Sequence, residues 1–301
     1  MFTSQQIRDF VVTRRSHGDA PAHTAGGPQF SVVMPSFNHA RYIERSLNSV
    51  LNQSYARTQL IVADGGSQDG TRAILQRYEN ELARWRSEPD RGQSDALNKG
   101  FEHASGDIFG WLNSDDLYLP GAFAHVAAIF ASRPEIQVVY GDWLEIDTED
   151  RIRERHLGLA SSRGRLITEG FFCNAQSMFW RRSLHERCGQ FDLQLHYTMD
   201  YDLMLRMISS AGARAFQRTD RPLGCFRVYQ GQKTGSDNDK VAKEHRHIAA
   251  RQATAWKYTA RGRLLRLLYR AKRVLEYCAR RRPDYILRRL RLQTRPHPQR
   301  S

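Results

Sequence analysis

The sequence predicts an α/β fold, a mostly parallel sheet flanked by helices, followed by a helical and strongly basic C-terminal extension. Three observations carry this reading. Short apolar runs alternate with segments of helical periodicity between residues 30 and 140, each run ends in a polar and mostly acidic segment, and strand signals vanish after about residue 235. The chain has 301 residues, 40% apolar and 26% charged, with 21 Gly and 10 Pro, so collagen-like and low-complexity classes are excluded.

Residues 1–28 end in Ala-His-Thr-Ala-Gly-Gly-Pro and read as a flexible lead-in. Phe30-Ser-Val-Val-Met34 is a short buried strand stopped by Pro35, and Ile43, Leu47, Val50 and Leu51 then recur at helical spacing. Leu60-Ile-Val-Ala63 is the next strand and ends in Asp64, which completes a βαβ unit with the usual right-handed crossover. Ile74, Tyr78 and Leu82 mark a helix, residues 84–88 a short strand, and Ala96, Leu97, Gly100, Phe101 and Ala104 another helix. Ile108 to Leu112 is the fourth strand. Phe123, Val126, Ala127 and Phe130 repeat at i, i+3, i+4, i+7 before Val138-Val-Tyr140 resumes the sheet.

Charge is unevenly placed. Lys and Arg number 46 against 32 Asp and Glu, a formal net charge of +14. From Arg261 onward there are 14 basic residues against Glu276 and Asp284, a local +12 that leaves +2 for the other 260 residues. Cys173, Cys188, Cys225 and Cys278 are far apart with no C-x-x-C pair, which fits neither a zinc ribbon nor a disulfide framework and points to a reducing compartment. Met1 to Gly27 lacks the apolar stretch of a signal peptide, and no run is long and apolar enough to span a bilayer. The expected location is cytoplasmic, or peripheral on the inner face of the cytoplasmic membrane.

In open α/β sheets ligands bind outside the carboxyl ends of the strands. Those positions carry Pro35-Ser-Phe-Asn38, Asp64-Gly-Gly-Ser-Gln-Asp-Gly-Thr71, Glu88-Pro-Asp-Arg-Gly92 and Asn113-Ser-Asp-Asp116. Each alone can be a turn or a helix cap. Their recurrence at successive strand ends favours a site. No G-x-G-x-x-G follows the first strand and no G-x-x-x-x-G-K-[ST] occurs, so neither dinucleotide nor P-loop chemistry is supported. Carboxylates beside a phosphate make sense when Mg²⁺ or Mn²⁺ lies between them, because such ions take one or two carboxylates plus phosphate oxygens.

Taken together, Ser31 to Asn38, Val62 to Thr71, Ser87 to Gly100, Gly106 to Asp116 and Met199-Asp-Tyr-Asp-Leu-Met-Leu-Arg206 resemble the inverting family 2 glycosyltransferases of bacterial polysaccharide and lipopolysaccharide synthesis. The resemblance implies a GT-A type fold over residues 29–235, with residues 236–301 as a helical basic extension outside it. It implies a nucleotide-sugar donor, usually of uridine, a glycan or lipid-linked hydroxyl acceptor, and a divalent metal. Pro35 and Asn38 would line the base and ribose, Asp64 would accept from the base, and Asp90, Asn98 and Lys99 would face the diphosphate and sugar. Asp115 would bind the metal, and Asn113, where the first Asp of the family's D-x-D element is usual, would make the ribose or metal contact of the nucleotide-sugar through an amide rather than a charge. Asp116 would lie behind it or cap the following helix. Asp200 matches the catalytic base, with Asp202 as the competing carboxylate and Met199 in place of a preceding Glu. Arg227 to Thr234 resembles the segment that closes over the donor, with Tyr229 where relatives often place a metal-binding His. The alternative is a non-catalytic basic binding protein, for membrane or nucleic acid, that keeps the fold.

Two further features lie outside those motifs. His245 and His247 have no third ligand in sight and read as helix-surface residues. Leu264, Leu267, Leu268, Ala271, Val274, Leu275 and Cys278 fall on one side of a basic amphipathic helix, and Ile286, Leu287 and Leu290 mark a second short helix after Pro283. The apolar stripe can pack on the catalytic domain, adsorb to an anionic membrane, or accompany nucleic-acid binding, for which no motif is present.

Overall fold

A computed structural model describes residues 2–13, 26–171, 173–233, 238–252 and 254–280. Its first element is a helix, α1 (Ser4–Val12), inside the segment expected to be a flexible lead-in. Thr3 and Gln6 form a reciprocal capping box, and Ile7 and Val11 are buried. The helix is tied to α2 (Ile43–Leu51) by the amide of Asn48, which donates to the Val11 carbonyl at 2.8 Å. That Ile7, Phe10, Val11 spacing behind a capping box was a legible helix signal.

The sheet begins as expected. Strand β1 (Phe30–Ser36) lies between β2 (Thr58–Asp64) and β4 (Ile108–Trp111), and β3 (Arg84–Ser87) pairs with β2, all parallel. Helices α3 (Thr71–Arg77) and α4 (Gln93–Phe101) make the crossovers, and α3 stops short of Leu82. Pro35 does not end β1. The pairing with β4 stops at Val33, whose carbonyl accepts from Leu112, so Pro35 faces an edge where its missing N–H is not needed.

The second half is mixed. After β5 (Leu117–Tyr118) and α5 (Ala122–Ser132), β6 (Val138–Ile146) pairs antiparallel with β7 (Ile152–His156). Beyond α6 (Arg163–Glu169), β8 (Met178–Arg181) runs antiparallel between β4 and β6. Helices α7 (Arg182–Cys188) and α8 (Met199–Ala211) lead to β9 (Phe216–Arg227), which is parallel to β6 and antiparallel to β5. Among the described residues the order is β3-β2-β1-β4-β8-β6-β9-β5, with β7 off β6. Side chains alternate across β1, so Val32 and Met34 join one core with Leu47, Leu75 and Phe123, while Val33 joins another with Leu97, Trp111, Trp180 and Leu205.

The C-terminal helices pack on this body. On α9 (Asn238–Arg251), Ile248 enters the second core. His245 meets Tyr201 edge-on at 4.9 Å and His247 contacts Asp192 at 3.2 Å, so both face the body rather than the helix surface. Helix α10 (Ala260–Ala279) sits against α6, but with its polar side inward. Its leucine stripe is exposed, which overturns packing of that stripe on the domain. The second short helix expected after Pro283 lies outside the described residues.

Candidate active site

The loops after β1 and β2 are built against each other. Asn38 adopts φ of 55°, a left-handed conformation that asparagine tolerates better than most residues. Its N–H donates to Ser67 Oγ at 2.7 Å and its side-chain oxygen accepts from the Gln68 N–H at 3.0 Å. Asp64 is buried at the end of β2, where Oδ2 accepts from the Ser67 N–H at 2.9 Å and from Ser87 Oγ at 2.6 Å. Asp69 serves as a turn and cap residue, accepting from the N–H groups of Ala40 and Thr71. Between these loops the ring of Phe37 is 61% exposed.

The segment after β3 divides the residues expected to face a diphosphate. Asp90 lies over Gly65, where a β-carbon would come within 2.7 Å of its Oδ2, and burial pushes its carboxyl up from the usual range. Lys99 is held by Glu88 at 3.5 Å and Asp95 at 3.4 Å. Asp64, Asp90 and Lys99, with Arg86 and Glu88, border a cavity of about 240 Å³. Asn98 does not belong with them. Its amide donates to the Phe191 carbonyl at 2.9 Å and accepts from the Phe191 N–H at 2.8 Å, so it fastens α4 to the segment leading into α8.

Asn113 is also an organising residue. Its oxygen accepts from Trp111 Nε1 at 2.8 Å and Gln93 Nε2 at 2.7 Å, while its amide donates to Asp116 at 3.0 Å. Asp116 is fully buried, accepts from the Arg227 N–H at 2.9 Å, and has its carboxyl pushed well up by burial and by Asp115. It does not cap α5, whose N-cap is Gly121. Arg227, itself fully buried, holds the Asp115 carbonyl at 2.7 Å and the Asp147 carbonyl at 2.8 Å.

Asp115 is the carboxylate left facing the site. Tyr229 donates to its Oδ2 at 2.9 Å, and burial followed by Asp115's charge pushes the Tyr229 phenol up, which keeps it a donor. His39 Nε2 lies 4.0 Å from the same oxygen, while its Nδ1 contacts Ser114 Oγ at 2.6 Å. Sequence reading missed this imidazole, which stands beside the tyrosine that replaces the expected histidine. Among the described residues no group of three or more His, Cys, Asp and Glu could hold a metal ion. Asp115 with His39 is nevertheless a carboxylate–imidazole pair, of which the carboxylate is the ligand suited to Mg²⁺ or Mn²⁺ with water and phosphate completing the shell.

Asp200 opens α8, with its Oδ1 accepting from the Tyr201 N–H at 2.7 Å. Burial pushes its carboxyl up to about 6. Lys233, exposed to solvent, feels the charges of Glu244, Asp200 and Asp90, which favour its ammonium against the downward push of desolvation. It donates to Gln93 Oε1 at 2.9 Å, and Gln93 reaches Asn113, so a polar chain joins the surroundings of Asp200 to the Asn113–Asp116 loop. Asp202 is fully buried and paired with Arg206 at 2.8 Å and with Arg251, which makes it structural.

Glu244, from α9, is the second residue missed. Its carboxylate accepts from the N–H groups of His196, Tyr197 and Thr198 at 2.7, 3.0 and 2.9 Å and from Thr198 Oγ1 at 2.8 Å. The extension thus shapes the turn that presents Asp200. Glu244→Gln keeps one acceptor and aims an amide at donors. A loss of about 2 kcal/mol is expected in urea unfolding, because hydrogen bonds to a charged group are the strong ones. Removing this negative charge should also move the titration of Asp200 to lower pH.

A sheet with acidic loops at its strand ends, flanked by helices, is the architecture of GT-A glycosyltransferases. S. aureus TarS 1-349 in complex with UDP-GlcNAc superposes with a TM-score of 0.57 at 18% identity, covering 74% of this chain and 66% of that one. Mannosyltransferase PcManGT from Pyrobaculum calidifontis, in complex with GDP-Man and Mn²⁺, gives 0.50 at 18% identity, covering 76% and 64%. The sequence model described as Glycosyl transferase family 2 matches residues 31–189, and the chain belongs to that family. A Mycobacterium bovis protein named PGL/p-HBAD biosynthesis glycosyltransferase is 30% identical over 187 residues, 61% of this chain and 71% of the relative. The protein is a glycosyltransferase.

Proposed function

We propose that the protein transfers a sugar, with inversion, from a nucleoside-diphosphate sugar, UDP-linked by preference, to a hydroxyl of a glycan or lipid-linked acceptor in polysaccharide or glycolipid synthesis. The observation that carries this is the connected polar chain from Lys233, whose charge is coupled to Asp200 and Asp90, through Gln93 to Asn113 in the loop of Asp115. The UDP-GlcNAc and GDP-Man complexes of the structural relatives support the donor class.

In this reading the Asp200 carboxylate takes the proton of the acceptor hydroxyl as its oxygen attacks the anomeric carbon opposite the leaving diphosphate. Pro35, Asn38 and Asp64 form the base and ribose end, with the exposed ring of Phe37 available for stacking. Lys233 is the cation linked to the Asn113 loop, whereas Lys99 is held among Glu88 and Asp95. Asp115 and His39 would hold a divalent metal, Mg²⁺ or Mn²⁺, which when bound neutralises diphosphate charge.

Thermal unfolding with a panel of nucleotide-sugars and Mn²⁺ tests the proposal. A UDP-sugar at a hundred times its Kd should add about 2.7 kcal/mol of stability. Asp115→Ala should abolish the Mn²⁺-dependent part, and Asp64→Ala the nucleotide-dependent part. Stabilisation by no nucleotide-sugar at all would refute it.

A further inference from the structure

Helix α10 is mounted with its polar side inward. Glu276 pairs with Arg165 at 3.0 Å, Arg273 with Glu169 at 3.4 Å and Arg280 with Asp142 at 2.8 Å, and Gly262 and Tyr277 are buried. Leu264, Leu267, Leu268, Val274 and Leu275 are left 59%, 60%, 57%, 42% and 69% exposed. At about 100° per residue these five fall within an arc of roughly 120°. Arg263 and Arg270 lie along one border of that arc and Arg261 and Lys272 along the other, all exposed.

We propose that this face of α10 docks the protein on an anionic lipid bilayer. Single exposed leucines are ordinary, but five on one face of a helix form a patch that calls for a partner. Cations on both borders select the partner, since an interfacial helix sinks its apolar face to the acyl boundary while lysines and arginines meet anionic headgroups. Nucleic acid would match the charges and leave the leucines in water. The inward ion pairs fix α10 to α6 and β6, so docking needs no refolding of the body. The chain beyond Arg280 adds seven arginines against Asp284 to the same end of the sequence. The proposal rests on the surface of α10 alone and stands apart from the donor reading.

The test is flotation of the full chain with vesicles of phosphatidylcholine alone or mixed with phosphatidylglycerol. Binding is expected only to the anionic vesicles, weakening as salt rises. Leu267→Glu with Leu275→Glu should lower the vesicle-bound ratio at least about tenfold, because binding scales with buried apolar area. Each of Arg263→Gln and Arg270→Gln should lower it about fivefold. All four side chains point to solvent, so an unchanged thermal midpoint is expected and shows that the fold persists. Failure of the wild-type chain to float with anionic vesicles overturns the proposal, as does equal flotation of the leucine variant. Salt-dependent RNA retention without vesicle binding overturns it in favour of nucleic acid. Concentration-dependent dimerisation without vesicle binding, lost in the leucine variant, overturns it in favour of a second copy of this chain.

Discussion

Asp200→Asn is expected to lower turnover by at least about a hundredfold while leaving the protein folded, the scale of losing a general base. Asparagine keeps the oxygen that accepts from the Tyr201 N–H, so the start of α8 has no reason to move. What disappears is proton affinity. The wild-type carboxyl is pushed up to about 6 by burial, with Glu244 adding to the push and Lys233 and the Tyr201 N–H opposing it. Cys173, buried beside it, has its thiol pushed well up by burial and by Asp200, and stays neutral. Since the base acts ionised, kcat/KM should fall as pH drops through about 6. Lys233→Met removes a cation that favours the carboxylate, so its acid limb should move to higher pH. Stability has the opposite dependence. A folded carboxyl above its ordinary value binds more protons than the unfolded chain in the window from about 4 to about 6, so this group's contribution falls as pH rises through it. At neutral pH the Asn variant should therefore be as stable as wild type or about 1–2 kcal/mol more stable. Unfolding and rate measurements on one preparation separate these outcomes. Turnover near wild type would remove Asp200 from the reaction.

Strand-end loops were legible because a parallel sheet aligns the ends of its strands, so acidic segments far apart in sequence share one edge. Asn98 was not. It lies between residues that read as ligand-facing, yet its partner is the Phe191 backbone across 93 residues of chain. Lys99 read as facing the diphosphate, and only the fold shows that it is taken by Glu88 and Asp95 while Lys233 reaches Gln93. Periodicity gave α10 an apolar side and a charged side, but which side meets the body depends on Arg165, Glu169 and Asp142, residues of other elements. Tyr229 was recognised as a departure from its relatives. Its consequence, a phenol on Asp115 with His39 alongside, needed the two loops in space.

Arg227→Met should destabilise the protein by about 3–5 kcal/mol, the cost of leaving a buried charge without its partner. The guanidinium is fully buried, lies 2.7 Å from Asp150 Oδ1, and sits over the Tyr42 ring at 4.8 Å. Asp150 is 1% exposed and holds φ of 58°, so it cannot easily swing out to water. Its second oxygen keeps Arg45 at 3.0 Å, a cation 34% exposed, which compensates only in part. Methionine fills much of the space but leaves the carbonyls of Asp115 and Asp147 without their donors. Adding Asp150→Asn to Arg227→Met removes the stranded charge, and the pair should recover at least about 1 kcal/mol relative to the single variant. The recovery should be in stability and not in turnover, because the Asp115 carbonyl stays untethered in both. Urea unfolding of the four proteins of this cycle, with transfer rates on each, measures the two effects separately. Additive losses in stability would mean that Arg227 and Asp150 do not act as a pair, and recovered turnover would mean that Arg227 does not hold Asp115 in place.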